Sequence, residues 1–489
     1  MVTPALVAET NDAVRLLSLA DCVKTALEHN FAVKIERQDV EIARHSLGRA
    51  YGGFDPRLRM AASHGNTLSP GGIDEQNRPF NSTETDQDRV SAGVNGLLPT
   101  GLQYDLSGRF ADSSGIDFNA TNAAQRQFEN TRGEALVELR QPLLKNLWID
   151  ETRLTIRVNR QQLRISELGL RGQLMNVAGS VEAAFYDLLL ARESVKVQLE
   201  ALALAERLVA ANRERIRQGV MAALDEKQAE AQASAQRSLL LSAQRAVGLQ
   251  ENVLKGLLSD KLADWQDVSI QPVGDLGAVA PRVQRNESWQ RGVSMRPDLL
   301  QAREEVERRG TIVKFTRNQL FPQLDAVGTY GHSASDTEFN GAFGQIQRGS
   351  SPFYSYGLEM IVPLSRKSER ENHQISRRER EKADLQLRQL EQDVLLQIDD
   401  AVKVVEVNYE RVGTTRQARE FAEIALQAEQ TKMENGRSTS FIVLQLQRDL
   451  TTTRSEEIRA LAEYNKALSQ LALREGTMLL RHHIELQVN

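Results

Sequence analysis

The sequence predicts an α+β fold built from two tandem repeats, in which long coiled-coil helices alternate with short groups of strands. The duplication is visible in the spacing of landmarks, because Asn30 and Pro56 lie 26 positions apart and Arg296 and Pro322 are separated by the same 26. Each half then has a proline before its long helix and a glycine after it, Pro142 and Gly219 in the first and Pro363 and Gly436 in the second. A repeat of this length indicates a duplicated half-protein and a pseudosymmetric assembly.

The predicted helices carry apolar residues at heptad positions. In the first half Val181, Leu188 and Val195 recur every seven residues. In the second half the corresponding series is Val394, Ile398, Ala401, Val405 and Val412. A heptad repeat of apolar residues that continues over several turns predicts knobs-into-holes packing between neighbouring helices. No proline interrupts residues 144–218, so a continuous helix there would be ~110 Å long at 1.5 Å per residue, too long for one globular domain.

The segments between the helices alternate apolar and polar residues with a period of two. A sheet in a soluble protein and a membrane barrel with lipid outside and water inside both produce this pattern. Helices this long cannot fold back over a sheet, so lipid is the partner that we expect for the apolar faces. The predicted lipid-facing residues are Leu58, Met60, Val90, Val94, Leu102, Tyr104, Leu106, Tyr354, Tyr356 and Leu358.

These periodicities divide the chain into repeats and connecting segments. Repeat 1 covers 17–259 after an N-terminal tail (1–16), and repeat 2 covers 286–475 after a linker (260–285) and before a C-terminal tail (476–489). Repeat 1 is predicted to contain a helix, strands 57–64, 88–98, 102–111 and 134–141, a long helix 144–218 and a helix 222–258. Repeat 2 is predicted to contain a helix, strands 323–331 and 353–362, a long helix 366–435 and a helix 438–475.

Composition excludes several classes of function. The net charge of −5 gives no basic field for nucleic acid. The single Cys22 excludes an intramolecular disulfide and a cysteine-based zinc site. We find no nucleophile–base pair, expect no enzyme activity, cofactor or metal, and interpret His482–His483 as a solvated pair in the C-terminal tail. No run of about 18 apolar residues predicts a transmembrane helix.

Short motifs that occur once in each half resemble the TolC family of outer-membrane efflux and secretion channels. They are the opening Leu17-Ser18-Leu19-Ala20-Asp21, Asn30 and Arg296-Pro297-Asp298-Leu299, Pro56 and Pro322, and the glycine turns Arg217-Gln218-Gly219 and Glu434-Asn435-Gly436 with Phe441. The resemblance covers about residues 17–476. It implies a homotrimer that forms an outer-membrane β-barrel continuous with a long periplasmic α-helical barrel, in the outer membrane of a Gram-negative cell.

The same resemblance implies a function. Family members are passive exit ducts of tripartite efflux pumps or type I secretion systems, and they dock through a periplasmic adaptor with an inner-membrane transporter. The residues alone leave open a second class, a soluble coiled-coil scaffold or adaptor protein. The exported substrate is not encoded in this chain, since the transporter selects it.

The turn after each long helix is where the resemblance places the periplasmic tip. Some family members have aspartates six and nine positions after the second glycine, where this chain has Ile442 and Gln445. We therefore expect an apolar gate formed by Phe441 and Ile442 that dewets when closed, with Gln445 in the next layer and Asp449 as the nearest negative charge. The alternative is that Phe441 packs between helices. The adaptor is expected to dock at Gly219, Val220, Gly436 and Arg437.

The two halves differ in the length of their strand region. Pro56 and Pro142 are 86 positions apart, whereas Pro322 and Pro363 are 41 apart, so the first half holds 45 extra residues. These residues contain two alternating segments joined by the turn-like Leu98-Pro99-Thr100-Gly101. We predict six strands per chain and eighteen per trimer, instead of the four and twelve usual in the family. The alternative is that the hairpin 88–111 folds off the barrel wall as a plug or cap.

Overall fold

The computed structural model describes residues 13–73, 75, 77–118, 125–218, 222–280 and 283–484. The chain divides into two compact units, each assembled from separate stretches. The helical unit comprises Met1–Ile42, Arg164–Glu304 and Leu385–Asn489. The sheet unit comprises Ala43–Leu163 and Glu305–Asp384.

Helices make up most of the described residues. They are α1 (Leu19–His29), α2 (Phe31–Tyr51), α3 (Glu151–Arg217), α4 (Ala223–Leu258), α5 (Arg285–Met295), α6 (Pro297–Asn318), α7 (Phe339–Gln347), α8 (Lys367–Glu434), α9 (Ser440–Glu475) and α10 (Met478–Arg481). The window of α3 with the composition of a membrane span is 67% buried inside the structure, as in the core helix of a soluble unit. This burial, and not lipid, accounts for its apolar character.

The heptad positions of the helical unit form its core. Val394, Ile398, Val405 and Val412 of α8 are all buried, together with Tyr464 and Leu471 of α9. In α3 the buried series begins at Val181 and Leu188 but continues at Val197, Ala201 and Ala205, not at the predicted Val195. The shift arises because a straight helix drifts by ~20° per heptad against a strict seven-residue repeat.

The motifs that repeat in the two halves lie at helix–helix junctions. Asn30 separates α1 from α2, and its side chain accepts the Ala32 N–H (2.9 Å) and donates to the Leu257 carbonyl (3.1 Å). Arg296 separates α5 from α6 and is paired with Asp298 through two contacts of 3.0 and 2.6 Å. Burial raises the pKa of Asp298, but the Arg296 guanidinium outweighs it and the pKa is lowered overall. These residues fix the angle between two helices.

The strands are β1 (Ala13–Ser18), β2 (Arg57–Ser69), β3 (Gly72–Ile73), β4 (Pro79–Phe80), β5 (Thr83–Leu97), β6 (Gln103–Phe118), β7 (Gln125–Pro142), β8 (Val268–Val273), β9 (Gln323–Asp336) and β10 (Pro352–Ile361). Six of them form one antiparallel sheet in the order β10-β9-β7-β6-β5-β2. The hairpin 88–111 therefore belongs to the sheet. Its turn is closed by the Gly101 N–H, which donates to the Leu98 carbonyl (2.8 Å), with Gly101 at a φ of +89°.

Several boundaries differ from the sequence-based prediction. The long helix begins at Glu151 and not at residue 144, because Asp150 caps it by accepting the Arg153 N–H at 2.7 Å. β6 and β7 extend well beyond residues 111 and 134, where most residues on both faces are polar and the alternation is weak. The linker 260–285 contains β8, which pairs in parallel with β1, a strand in the segment assigned to the N-terminal tail and the start of repeat 1.

Candidate functional site

One face of the six-stranded sheet is apolar from edge to edge. The register aligns Leu58, Val94, Leu106, Val137, Tyr330 and Tyr354 in one row across all six strands. Their neighbours two residues away on each strand lie on the same face. Leu58 is 69% exposed, Tyr354 75% and Tyr356 86%. Within one chain this face has no protein cover over most of its width.

The residues predicted to face lipid gather on this face, with one exception. Nine of the ten lie in β2, β5, β6 or β10 at positions of the same parity, as the paired register shows. Leu102 precedes β6 and belongs to the turn, where its carbonyl accepts the Leu98 N–H (2.8 Å). His332 interrupts the apolar face; its ring lies 5.5 Å from that of Tyr330, edge-on, and is half-buried.

The apolar face has the height of a bilayer core. Along β9 the positions of this parity extend from Leu324 to Ala334, a distance of ten steps that spans about 34 Å at 3.4 Å per residue. A strand tilt of about 40° would reduce this span to roughly 26 Å, close to the ~25 Å apolar band of outer-membrane barrels. Beyond the row of Ala62 and Val90 the same face becomes polar, where His64 Nδ1 lies 2.9 Å from Asp88 Oδ1.

The opposite face of the sheet is charged and its charges are paired across strands. Arg109 of β6 pairs with Glu134 of β7 (2.5 Å). Arg140 of β7 contacts both Asp325 of β9 (3.0 Å) and Glu359 of β10 (2.5 Å). A sheet with one apolar and one charged face is suited to separate lipid from water.

The second hairpin, residues 435–439 between α8 and α9, is built around Gly436. This residue has a φ of +71°, and its N–H donates to the Met433 carbonyl (3.1 Å), while the Arg437 N–H donates to the Lys432 carbonyl (2.8 Å). A glycine in the left-handed region is the usual C-terminal stop of a helix. A Cβ at Gly436 would meet nothing within 4 Å, so the position is open to solvent.

The predicted gate residues share one exposed face at the start of α9. Phe441 is 57% exposed and Ile442 41%, and Gln445 and Asp449 are exposed at the following turns. The next residues along the helix, Val443 and Leu444, are buried with Leu208, Leu426, Met433 and Leu450 in a small group, the hairpin cluster. Sequence reasoning overlooked Arg448, which is exposed beside Asp449 and places a positive charge on the same face.

Contacts near the first hairpin connect it to the second. Gly219 and Val220, two of the predicted docking residues, lie outside the described residues. Just beyond them, Asp225 of α4 accepts a hydrogen bond from the Ser440 hydroxyl of α9 (3.1 Å), and the buried Asn212 amide donates to the Asp225 carbonyl (3.2 Å). The Ser440–Asp225 hydrogen bond therefore joins the two helix pairs beside Phe441, and the Asn212 contact joins α3 to α4 within one pair.

Residues 291–477 match a protein-family model described as outer membrane efflux protein. This part of the chain is similar to outer membrane efflux proteins. The match confirms the resemblance predicted from the sequence and the outer-membrane location that it implied. No curated protein matches the chain.

Solved outer-membrane proteins share the fold of the chain over most of its length. CmeC of Campylobacter jejuni has a TM-score of 0.64 at 15% identity, over 94% of this chain and 85% of that one. VceC of Vibrio cholerae has a TM-score of 0.65 at 16% identity, over 94% of this chain and 96% of that one. MtrE of Neisseria gonorrhoeae, solved as an open-state outer membrane channel, has a TM-score of 0.64 at 14% identity, over 94% of this chain and 89% of that one. At these identities the likeness establishes the fold alone.

His482, just beyond the matched residues, belongs to a buried charged cluster that sequence reasoning missed. The prediction that His482 is solvated is wrong, since its side chain is only 8% exposed and Nε2 lies 2.5 Å from Oε1 of the fully buried Glu182. Burial raises the pKa of Glu182, but the His482 hydrogen bond and the Arg481 charge outweigh it and lower the pKa overall. The carboxylate is thus ionised and accepts the His482 N–H. In the described part of the chain no group of three acidic, histidine or cysteine side chains is arranged to hold a metal.

Proposed function

We propose that the protein is a passive outer-membrane export channel, formed by three copies of the chain. Each copy would contribute its six strands to one eighteen-stranded barrel, with the charged face lining the water-filled interior. The helices would form the periplasmic conduit. The channel would serve as the exit duct of a tripartite pump or type I secretion system, with an adaptor and an inner-membrane transporter as partners.

The uncovered apolar face, continuous across six strands, is the observation that carries this proposal. A soluble scaffold would expose a patch of this size to water, which monomeric soluble proteins avoid. The sheet also has two edges, β2 and β10, that run in opposite directions because all neighbours are antiparallel. Pairing β2 of one copy with β10 of the next would continue the antiparallel order and close the barrel, removing both edges.

Reconstitution in planar lipid bilayers tests the channel. We expect the detergent-purified protein to migrate as a trimer and to produce discrete single-channel steps in the bilayer. A monodisperse protein that stays in solution without detergent and gives no conductance would contradict the proposal and favour the scaffold.

The proposed gate is tested separately by Phe441→Ala. The exposure of Phe441 supports a role at the constriction over packing between helices of the same chain, and loss of three rings there would raise the closed-state conductance. Phe421→Ala on α8 is the matched control, since Phe421 is 69% exposed and lies 14 residues before the hairpin begins at residue 435. Unchanged closed-state conductance in Phe441→Ala would refute the gate and leave the channel itself intact.

A further inference from the structure

Helix α7 packs on the apolar face of the sheet, where that face ends. The Phe110 ring centroid lies 5.0 Å from that of Phe339 and 6.0 Å from that of Phe343. Phe110 belongs to the last apolar row, Ala62, Val90, Phe110, Gly133 and Ala334. The helix therefore lies at the line where the face changes from apolar to polar.

The sheet is shaped to seat this helix. Ala342 of α7 is fully buried, and a Cβ on Gly133 would come within 3.0 Å of Ile346 Cδ1 and 2.5 Å of the Phe110 ring. Only a glycine in β7 leaves this space. On the polar side, the Gln345 amide donates to the Ser335 carbonyl (3.1 Å) and to Asp336 Oδ2 (3.1 Å). Both contacts fix α7 against β9, so it is part of the sheet surface.

Two phenylalanines on the outward side of α7 remain uncovered, beside the exposed polar residues Asn340 and Gln347. Phe339 and Phe343 stack at 6.1 Å with ring planes 12° apart, and they are 51% and 45% exposed. They are one helical turn apart and so share a side. Arg348, just after the helix, is exposed, and acidic Asp88 and Asp112 lie in the next row of the sheet. An apolar side next to a polar boundary is typical of a helix that lies in a membrane interface.

We propose that α7 is an interfacial helix whose Phe339 and Phe343 insert among the acyl chains of the outer leaflet, just below the headgroups. This inference rests on the proposed barrel, because it requires the apolar face to point to lipid. The helix would fix the depth at which the barrel sits, as aromatic side chains do at the edges of outer-membrane barrels. Continuity argues for lipid as the occupant, since Tyr330 and Tyr354 of the exposed band lie two rows below Phe110.

Site-specific fluorescent labelling tests the position of α7. The only cysteine, Cys22, is fully buried, and burial raises the pKa of its thiol to about 12, so it will not react with bromobimane. Three single variants carry the label: Phe343→Cys on α7, and Tyr356→Cys and Ser355→Cys as adjacent positions on opposite faces of β10. Each is reconstituted in vesicles with nitroxide lipids or with iodide in the buffer.

We expect the label at 343 to be quenched most strongly by lipids whose nitroxide lies near the headgroup. The label at 356 should be quenched most strongly by lipids whose nitroxide lies deeper along the acyl chain. The label at 355 should respond to iodide alone. Quenching of 343 by iodide alone, or by neither reagent, while 356 responds to lipid, would overturn the interfacial helix and keep the barrel. If 356 is also insensitive to lipid, the barrel assignment fails together with it. Phe339→Cys gives a second reading if the first variant does not assemble.

Discussion

Two parts of the helical unit differ in how their helices are held together. Around Val181 and Leu188, and again around Ile398 and Tyr464, large clusters bury side chains completely. The hairpin cluster has only six buried residues and leaves Phe441 and Ile442 uncovered. Next to it the helix pairs are joined by the Ser440–Asp225 hydrogen bond. Because local opening costs less where few apolar side chains are buried, we expect the hairpin end to open more easily than the large clusters.

The strongest test of the packed part is Glu182→Gln. Loss of a charge-assisted hydrogen bond in a buried site should lower the free energy of unfolding by about 1.5–3 kcal/mol. The pKa of Glu182 is lowered in the folded state, so its contribution is present above the ordinary value of 4.5 and is lost as the pH falls through the lowered value. Unfolding curves of the wild type and the variant should therefore converge in acid. Glu456→Gln, at a 43% exposed side chain, is the control, and equal behaviour of the two variants would contradict the role of the cluster.

A second test of the packed part uses Gly292 and Ile398. A Cβ on Gly292 would lie 2.2 Å from Ile398 Cδ1, so Gly292→Ala should cost about 1–3 kcal/mol by overpacking. Ile398→Val removes that methyl group and alone should cost about 0.5–1.5 kcal/mol. The double variant should be more stable than the sum of the two losses predicts. Strict additivity in thermal unfolding would show that α5 and α8 are not in close contact.

At the hairpin end, substitutions of Gly436 can distinguish its conformational role in the turn from its proposed role in adaptor docking. Gly436→Ala places a side chain in the left-handed region and should cost about 1–2 kcal/mol. Gly436→Asn tolerates that region better and should be more stable than Gly436→Ala, although its side chain is larger. If the adaptor docks here, Gly436→Asn should still abolish export in cells while trimers and membrane insertion are retained. Normal export by this variant would show that Gly436 is needed for the turn and not for docking.

The smallest expected change in stability comes from Ser440→Ala. Removing its hydrogen bond to the Asp225 carboxylate should cost about 0.5–1.5 kcal/mol, the net contribution of a typical hydrogen bond in a protein. If the hairpin end opens by separation of the two helix pairs, the same variant should increase the frequency of openings in single-channel recordings. Ser455→Ala is the control on the same helix, because Ser455 bonds only to the Thr451 carbonyl (2.9 Å) one turn away. Equal opening frequencies would exclude this hydrogen bond as a restraint.

Periodicity in the sequence was sufficient to predict the helices, the apolar sheet face and the second hairpin. A seven-residue repeat shows which side of a helix is covered, and a two-residue alternation shows which side of a strand is apolar. A glycine after a long helix, such as Gly436, indicates a turn. Each of these signals can be recognised from a short stretch of sequence. Where the period was absent, prediction failed: β1 and β8 are six residues each and pair across about 250 residues. The extensions of β6 and β7 were missed for the same reason, because polar strands have no contrast between faces.

Contacts between residues that are far apart in the sequence were decided only by the tertiary structure. His482 and Glu182 are 300 positions apart, Ser440 and Asp225 are 215, and Phe339 reaches Phe110 from another part of the chain. Each residue alone has an ordinary polar or apolar identity, and no spacing rule links the partners. The sequence by itself determined the repeats, the element types and the faces that must be covered. Which distant residues provide that cover depends on how the helices and strands are arranged in space, since the local sequence of one partner does not specify the other.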